Sequence, residues 1–273
     1  MKTTTQYKIL YNSRVNGSVY KMVVDAPGLA DIAKPGQFAM LDCGPVSYLR
    51  RPLSFCDADA DAGTVTFMYR VGGIGTRELA ARKPGELLDS LGPLGDGFEV
   101  ISGKTAVVGG GIGVFPLLLL VKRLCEAGAA PDVFIGFQTR ADAVLYSEFS
   151  RYCEKCVLLS DDGSTGRKGF VTDAFAEALD GGAAYNRIYA CGPAPMFMAI
   201  KHICETRGVS AQVSLEQRMG CGVGACLTCA CKINAHADTG NIMNDGLTDG
   251  AFTYARVCKD GPVFDINDVC LDD

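Results

Sequence analysis

The sequence predicts an α/β plus β protein in three parts: an antiparallel β-barrel at 1–101, a Rossmann-like parallel α/β domain at 102–215 and a small cysteine-rich module at 216–273. Three observations lead there. Short apolar runs broken by Gly and Pro fill the first part, strand-length and helix-length runs alternate in the second, and five cysteines fall between Cys221 and Cys258 in the third.

In the first part, 7–11, 19–24, 37–41, 51–56 and 64–71 have roughly period-2 character. Ala26-Pro27-Gly28, Lys34-Pro35-Gly36 and Asp61-Ala62-Gly63 separate them. Alternating strands punctuated by turn residues at regular spacing suggest a small barrel. A single short helix is expected at 76–81.

In the second part, strands are expected at 105–108, 132–137, 157–160, 187–190 and 211–215. Helices are expected between them at 115–127, 143–152, 172–179 and 194–207. Such alternation implies a parallel sheet covered on both faces.

Two turns of this part carry ligand chemistry. Gly109-Gly110-Gly111-Ile112-Gly113-Val114 follows a strand and opens a helix, where free N–H groups and the helix dipole favour a pyrophosphate. It departs from G-x-G-x-x-G because Val114 stands at the final glycine position. Cys191-Gly192-Pro193 repeats the strand-to-helix turn, and two such turns at the carboxyl edge of one sheet define a crevice. Prolines at a helix start are also plain helix initiation, and both readings can hold together.

Anion chemistry is also expected in the barrel. Arg51-Pro52-Leu53-Ser54 places an Arg and a Ser on a strand, and Arg70 precedes the Gly-rich helix start Gly72-Gly73-Ile74-Gly75-Thr76. Two arginines, each beside backbone suited to phosphate, suggest an anion clamp.

The third part is too small to hold together by apolar burial, so a metal centre would supply stability. Cys221, Cys226 and Cys229 stand in the C-x4-C-x2-C spacing of plant-type 2Fe-2S sites, which needs one distant fourth thiolate. Cys258 is the choice for it. Cys231 is too near Cys229 to close the cage easily, and Cys270 is a weaker candidate. Gly220, Gly222 and Gly224 let backbone N–H groups approach the sulfurs. A structural zinc site is the alternative, although zinc more often uses two short-spaced cysteine pairs. Cys153 and Cys156 also form a C-x-x-C, read as two ordinary reduced thiols.

Composition narrows the function classes. Forty-eight per cent hydrophobic and 21% charged residues describe a folded globular chain. A net charge of −5 without a dense basic run argues against nucleic acid or an anionic membrane as the main partner. With neither a signal-like N-terminus nor a spanning apolar run, the chain is expected to be soluble and cytoplasmic. Only two histidines, His202 and His236, are present, so a His-based catalytic device is not supported.

Together these motifs resemble the ferredoxin–NAD(P) reductase superfamily over nearly the whole chain. The landmarks are Arg51-Pro52-Leu53-Ser54, Gly92-Pro93-Leu94-Gly95, Gly109–Val114 and Cys191-Gly192-Pro193. Glu216-Gln217-Arg218-Met219, the cysteine loop and Cys258-Lys259-Asp260-Gly261-Pro262-Val263-Phe264 narrow the resemblance to the electron-transfer subunits of NAD-dependent dihydroorotate dehydrogenases. One departure is a long Asp-, Asn- and Gly-containing insert at 234–254, expected to be a surface loop.

The resemblance implies a Greek-key barrel holding FAD, an NAD domain and a 2Fe-2S module. It assigns Arg51, with Pro52 and Leu53 beside it, and the Gly75-Thr76 turn to FAD. Ser54 would lie near flavin N5, with Met68, Tyr69 and Arg70 alongside the cofactor. Gly111, Ile112, Gly113 and Val114, with Cys191, Gly192 and Pro193, would hold NAD; for Cys191, a packed thiol is an equal reading. Cys221, Cys226, Cys229 and Cys258 would ligate the cluster.

The implied partner is an FMN-containing dihydroorotate dehydrogenase catalytic subunit, two of each chain making a heterotetramer. Electrons would pass from it singly through the cluster to FAD, then as hydride to NAD⁺, in pyrimidine biosynthesis. The acidic run Asp161-Asp162 favours NAD over NADP, although Arg140 and Arg167 offer counter-charge. The alternatives are a reductase subunit of another complex, of the ferredoxin–NADP oxidoreductase or glutamate-synthase type, and a zinc-bound, non-catalytic interaction module.

Overall fold

A computed structural model describes residues 4–234 and 252–271. The first elements are β1 (Thr4–Asn16), β2 (Val19–Asp25), α1 (Pro27–Ala30), β3 (Phe38–Leu41), β4 (Arg51–Asp59), β5 (Thr64–Arg70), α2 (Ile74–Ala81) and β6 (Leu87–Leu94). Their six strands close a Greek-key barrel in the order β1-β2-β5-β4-β3-β6. Closure leaves no open edge for stray pairing. Strand β6 is not among the sequence expectations, because Gly92 and Pro93 interrupt its alternation.

All four residues of β3 are buried, since both its faces are covered. Ala39 and Leu41 face the barrel core, while Phe38 and Met40 face outward into a second core shared with the rest of the chain.

The next elements are β7 (Gly103–Gly110), α3 (Leu117–Glu126), β8 (Ala129–Phe137), α4 (Tyr146–Phe149), β9 (Lys155–Ser160), β10 (Arg167–Lys168), α5 (Val171–Asp180), β11 (Arg187–Cys191), α6 (Ala194–Arg207) and β12 (Ala211–Ser214). A 3-10 turn at Gly111–Val114 carries β7 into α3. The helix expected at 143–152 shrinks to the single turn of α4. Asn16 Nδ2 captures the carbonyls of Ala143 and Arg140, and Leu145 takes a left-handed φ of 65°, so the chain cannot coil there.

The last elements are β13 (Ala230–Asn234), β14 (Phe252–Arg256) and β15 (Val263–Asp265). β13 and β14 pair antiparallel, with Asn234 opposite Phe252, so the insert rises from a hairpin. Residues 235–251 of that insert, His236 among them, lie outside the described residues.

The large sheet runs β10-β9-β8-β7-β11-β12-β15. Six strands are parallel as expected, but β15 is antiparallel to β12 and comes from the cysteine-rich tail, so the sheet is mixed. The described residues of the tail have no core of their own. Val257, Phe264 and Ile266 are buried in one cluster with Phe38 and Met40 of the barrel and Ala106 and Val108 of the sheet. Burying a side chain such as Phe264 stabilises by roughly 1.5–3 kcal/mol, and a 58-residue tail gathers too few such burials alone.

A partly buried ion pair ties the barrel to the sheet domain. Lys122 Nζ on α3 bonds both carboxylate oxygens of Asp57 on β4, at 2.7 and 2.6 Å. Among the described residues, no helix is long and apolar enough to cross a membrane.

Candidate cofactor sites

The strand order reverses between β7 and β11, so the loops leaving their carboxyl ends diverge and open a crevice. There lies a cavity of about 580 Å³. Gly111, Ile112 and Gly113 line it from one side, and Cys191, Gly192 and Pro193 from the other. Val114 instead points into the core, fully buried beside α3. The two turns fit only because Gly113 has no side chain: a Cβ there would collide with the Cys191 carbonyl. The Cys191 thiol is pushed up to about 12 by burial, and the Glu216 carboxylate adds to the shift. It stays protonated at neutral pH, a packed neutral group rather than a nucleophile.

Asp161, immediately after β9, lines the same cavity. Of the two counter-charges, Arg167 is occupied by a bidentate pairing with Glu177. Phe170 and Glu216 are among the lining residues for which the sequence suggested no role in this cavity. Phe170, 62% exposed just ahead of α5, and Glu216 both line the cavity. A lone aromatic ahead of a helix looks like core in a sequence; only its exposure in the fold marks it as a binding face.

The barrel brings Arg51, one of the two arginines of the expected anion clamp, against the glycine turn that opens α2. The Arg51 guanidinium lies over Gly75 in the first turn of α2, where a Cβ would come within 2.8 Å of Arg51 Nε. The Gly72 and Gly73 N–H groups donate to Thr76 Oγ1, at 3.0 and 3.2 Å, which fixes the turn. Pro52, Leu53 and Ser54 sit opposite Met40, Ala39 and Phe38 on β3, and all three are half-buried. Met68 and Tyr69 are buried, Tyr69 with its hydroxyl donating to Asn12 Oδ1 at 2.8 Å. Of that triplet, only Arg70 lines the dinucleotide cavity.

In the tail, Cys221, Cys226, Cys229 and Cys258 come from two loops that face each other. Donors converge on their sulfurs. The N–H groups of Val223, Ala225 and Cys226 point at Cys221 Sγ at 3.3–3.4 Å. Gly224 N–H donates to Cys258 Sγ at 3.1 Å, and Cys258 N–H to Cys229 Sγ at 3.4 Å. The Thr228 hydroxyl donates to Cys226 Sγ at 3.2 Å, and this bond leads in lowering that thiol to about 6. Burial would raise Cys221, but its three N–H donors outweigh it and the net shift is downward. Burial holds the Cys258 thiol up at about 12 without a metal, and the neighbouring Cys229 reinforces this.

Such a donor set fits an iron–sulfur centre, whose anionic sulfurs need N–H groups around them. A two-iron centre divides its four thiolates between two metals and takes a wider cage. Cys231 is turned away on β13, buried among apolar side chains, and its thiol is pushed up to about 12 by that burial. Cys270 lies near Asn234, outside the cage.

Cys153 and Cys156 are free thiols remote from these sites. Their mutual hydrogen bond pushes Cys153 up and Cys156 down.

Known proteins share these features. The family described as the iron-sulfur cluster binding domain of dihydroorotate dehydrogenase B matches residues 216–270, and the oxidoreductase NAD-binding domain matches 107–202. The chain is similar to two proteins named dihydroorotate dehydrogenase B (NAD(+)), electron transfer subunit. One, from Caldanaerobacter subterraneus subsp. tengcongensis, is 37% identical over 97% of both chains. The other, from Bacillus mycoides, is 40% identical over 97% of this chain and 98% of its own. Among solved structures, a chain of the NADH-dependent reduced ferredoxin–NADP oxidoreductase superposes with a TM-score of 0.82 at 28% identity, covering all of this chain and 92% of that one. A ferredoxin NADP⁺ reductase from Neisseria gonorrhoeae, with bound FAD and NADP, shares the fold at a TM-score of 0.63 and 14% identity, over 76% of this chain and 93% of that one.

Proposed function

Because the chain belongs to the family of electron-transfer subunits of NAD-dependent dihydroorotate dehydrogenase B, we propose that it carries electrons from a dihydroorotate-oxidising catalytic subunit to NAD⁺. The observation that carries this reading is the cysteine cage, which packs against the same barrel strand that backs the flavin residues. Gly222 of the cage loop touches Met40 on β3, and Met40 is paired with Pro52 of the Arg51–Ser54 strand. Bound FAD interconverts the single-electron steps of a 2Fe-2S centre and the two-electron chemistry of nicotinamide.

The chain's own residues do the positioning. Cys221, Cys226, Cys229 and Cys258 hold the iron pair, and the surrounding N–H groups stabilise their thiolates. Arg51 and the α2 N-terminus would take the FAD pyrophosphate, and Ser54 on β4 would offer its hydroxyl to the flavin. Arg70, lining the cavity from the barrel side, stands at the junction of the flavin and dinucleotide sites. The glycine turn and Cys191–Pro193 clamp the dinucleotide, and the protonated Cys191 offers an uncharged wall. The division into 1–101 for FAD, 102–215 for NAD and 216–273 for the cluster belongs to the same proposal.

The partner is an FMN-containing catalytic subunit in a cytoplasmic assembly of two copies of each chain. A second reading places the chain in a complex of the ferredoxin–NADP oxidoreductase kind, favoured by the full-length superposition on that enzyme. The test is to copurify the native complex and assay NAD⁺ reduction driven by dihydroorotate. Turnover supports the first reading. A complex that carries flavin and iron yet ignores dihydroorotate overturns it.

A further inference from the structure

Beside the cage lies a buried ion pair that none of the assigned roles uses. Arg256, the last residue of β14, is bidentate to Asp260: Nε reaches Oδ2 and Nη2 reaches Oδ1, both at 2.9 Å. The Arg256 N–H donates to Asp260 Oδ2 at 2.8 Å, and the Asp260 N–H returns to the Arg256 carbonyl at 2.8 Å. These bonds close the tight turn that holds Cys258 midway. The side chains are only 13% and 6% exposed, so water and salt screen their charges poorly.

The third guanidinium nitrogen makes the link. Arg256 Nη1 contacts the Gly224 carbonyl oxygen at 3.5 Å. That carbonyl belongs to the peptide whose other end is the Ala225 N–H, which donates to Cys221 Sγ at 3.3 Å. A cation on the oxygen of an amide polarises it and makes its N–H a stronger donor. The preceding peptide presents the Gly224 N–H to Cys258 Sγ. Arg256 therefore touches both ligand loops, one through its turn and one through a polarised peptide.

We propose that Arg256 and Asp260 set the reduction potential of the cluster, Arg256 acting through the Gly224–Ala225 peptide on Cys221 and Asp260 balancing its charge. Both are positioning residues, and the inference rests on the cage holding a 2Fe-2S centre. Hydrogen bonds to the sulfurs and nearby charge are the protein's levers on such a centre, because reduction adds a negative charge that donors and cations stabilise. The two members of the pair must then act with opposite sign.

The test is an EPR-monitored redox titration of the full chain in its native complex, with iron content measured in parallel. Arg256→Gln shifts the cluster potential negative, by about tenfold in the reduced-to-oxidised ratio at fixed potential, which is about 59 mV for one electron. Asp260→Asn leaves the cation in place and shifts the potential positive. Arg256→Lys restores part of the loss, and gives the smaller negative shift if Arg256→Gln sheds its iron. Unchanged potentials at full iron content, or two shifts of the same sign, overturn the assignment and leave the pair a brace for the turn. A wild-type complex without a reduced-cluster signal would instead refute the reading of the cage itself.

Discussion

Gly222 rests its bare Cα on the side chain of Met40: a Cβ built there would lie 2.5 Å from Met40 Cγ. Its φ is +71°, in the left-handed region where side chains are strained. One glycine thus seats the cage loop directly on the barrel. Gly222→Ala should cost about 1–3 kcal/mol of stability through strain and collision. It should also slow electron passage between the iron centre and flavin, measurable by rapid mixing with NADH under anaerobic conditions. Unchanged rates in a folded variant would show that the contact does not set the separation.

The cage and its near neighbour predict different outcomes for two cysteines five residues apart in sequence. Cys226→Ser should abolish iron and acid-labile sulfide, because this thiol lies at the cage with the Thr228 donor. Cys231→Ser should keep both and lower stability by about 1–3 kcal/mol, since it buries a hydroxyl among apolar groups. Equal iron loss in both variants would refute the assignment of Cys231 as a packing residue.

Dinucleotide choice should follow Asp161. Asp161 lines the cavity, so a 2′-phosphate bound beside its carboxylate would bring like charge, while Arg167 is engaged by Glu177. Asp161→Ser should improve kcat/KM for NADPH relative to NADH by roughly tenfold, the equivalent of about 1.4 kcal/mol. Steady-state kinetics with both nucleotides checks this, and an unchanged ratio would place the discrimination elsewhere.

The Lys122–Asp57 pair predicts an alkaline weakening of the joint between barrel and sheet. Burial alone would lower the Lys122 pKa, but hydrogen bonding and attraction to Asp57 outweigh it, so the net shift is upward. The proton is held more tightly when folded. Its stabilisation is therefore complete below the ordinary lysine value and is lost as pH rises through the higher folded value. Lys122→Met should cost about 1–3 kcal/mol at neutral pH and flatten the fall in Tm between about pH 9 and about pH 12. A wild-type and variant with parallel pH profiles would contradict it.

The sequence determined the parts that depend on neighbours along the chain. Alternation in 19–24 and 64–71, the helix at 194–207 and the spacing of Cys221, Cys226 and Cys229 are local patterns, and each strand, helix and loop formed where its pattern lies. Elements decided by distant partners were not legible. Strand β6 formed across Gly92 and Pro93 because β1 and β3 flank it, and β15 formed because β12 offered an open edge. The helix expected at 143–152 lost its first carbonyl, that of Ala143, to Asn16, far away in the barrel.

The candidate sites divide in the same way. Residue type and spacing marked the candidate thiolates and the glycine turns, because a short loop carries its own geometry. Only the tertiary structure could decide that Phe170 faces a cavity, that Met40 meets Gly222 and that Arg256 reaches the Gly224 carbonyl. The physical reason is that a motif is written in consecutive residues, whereas a contact across 182 positions, from 40 to 222, exists only once closed barrel, sheet and tail share one core.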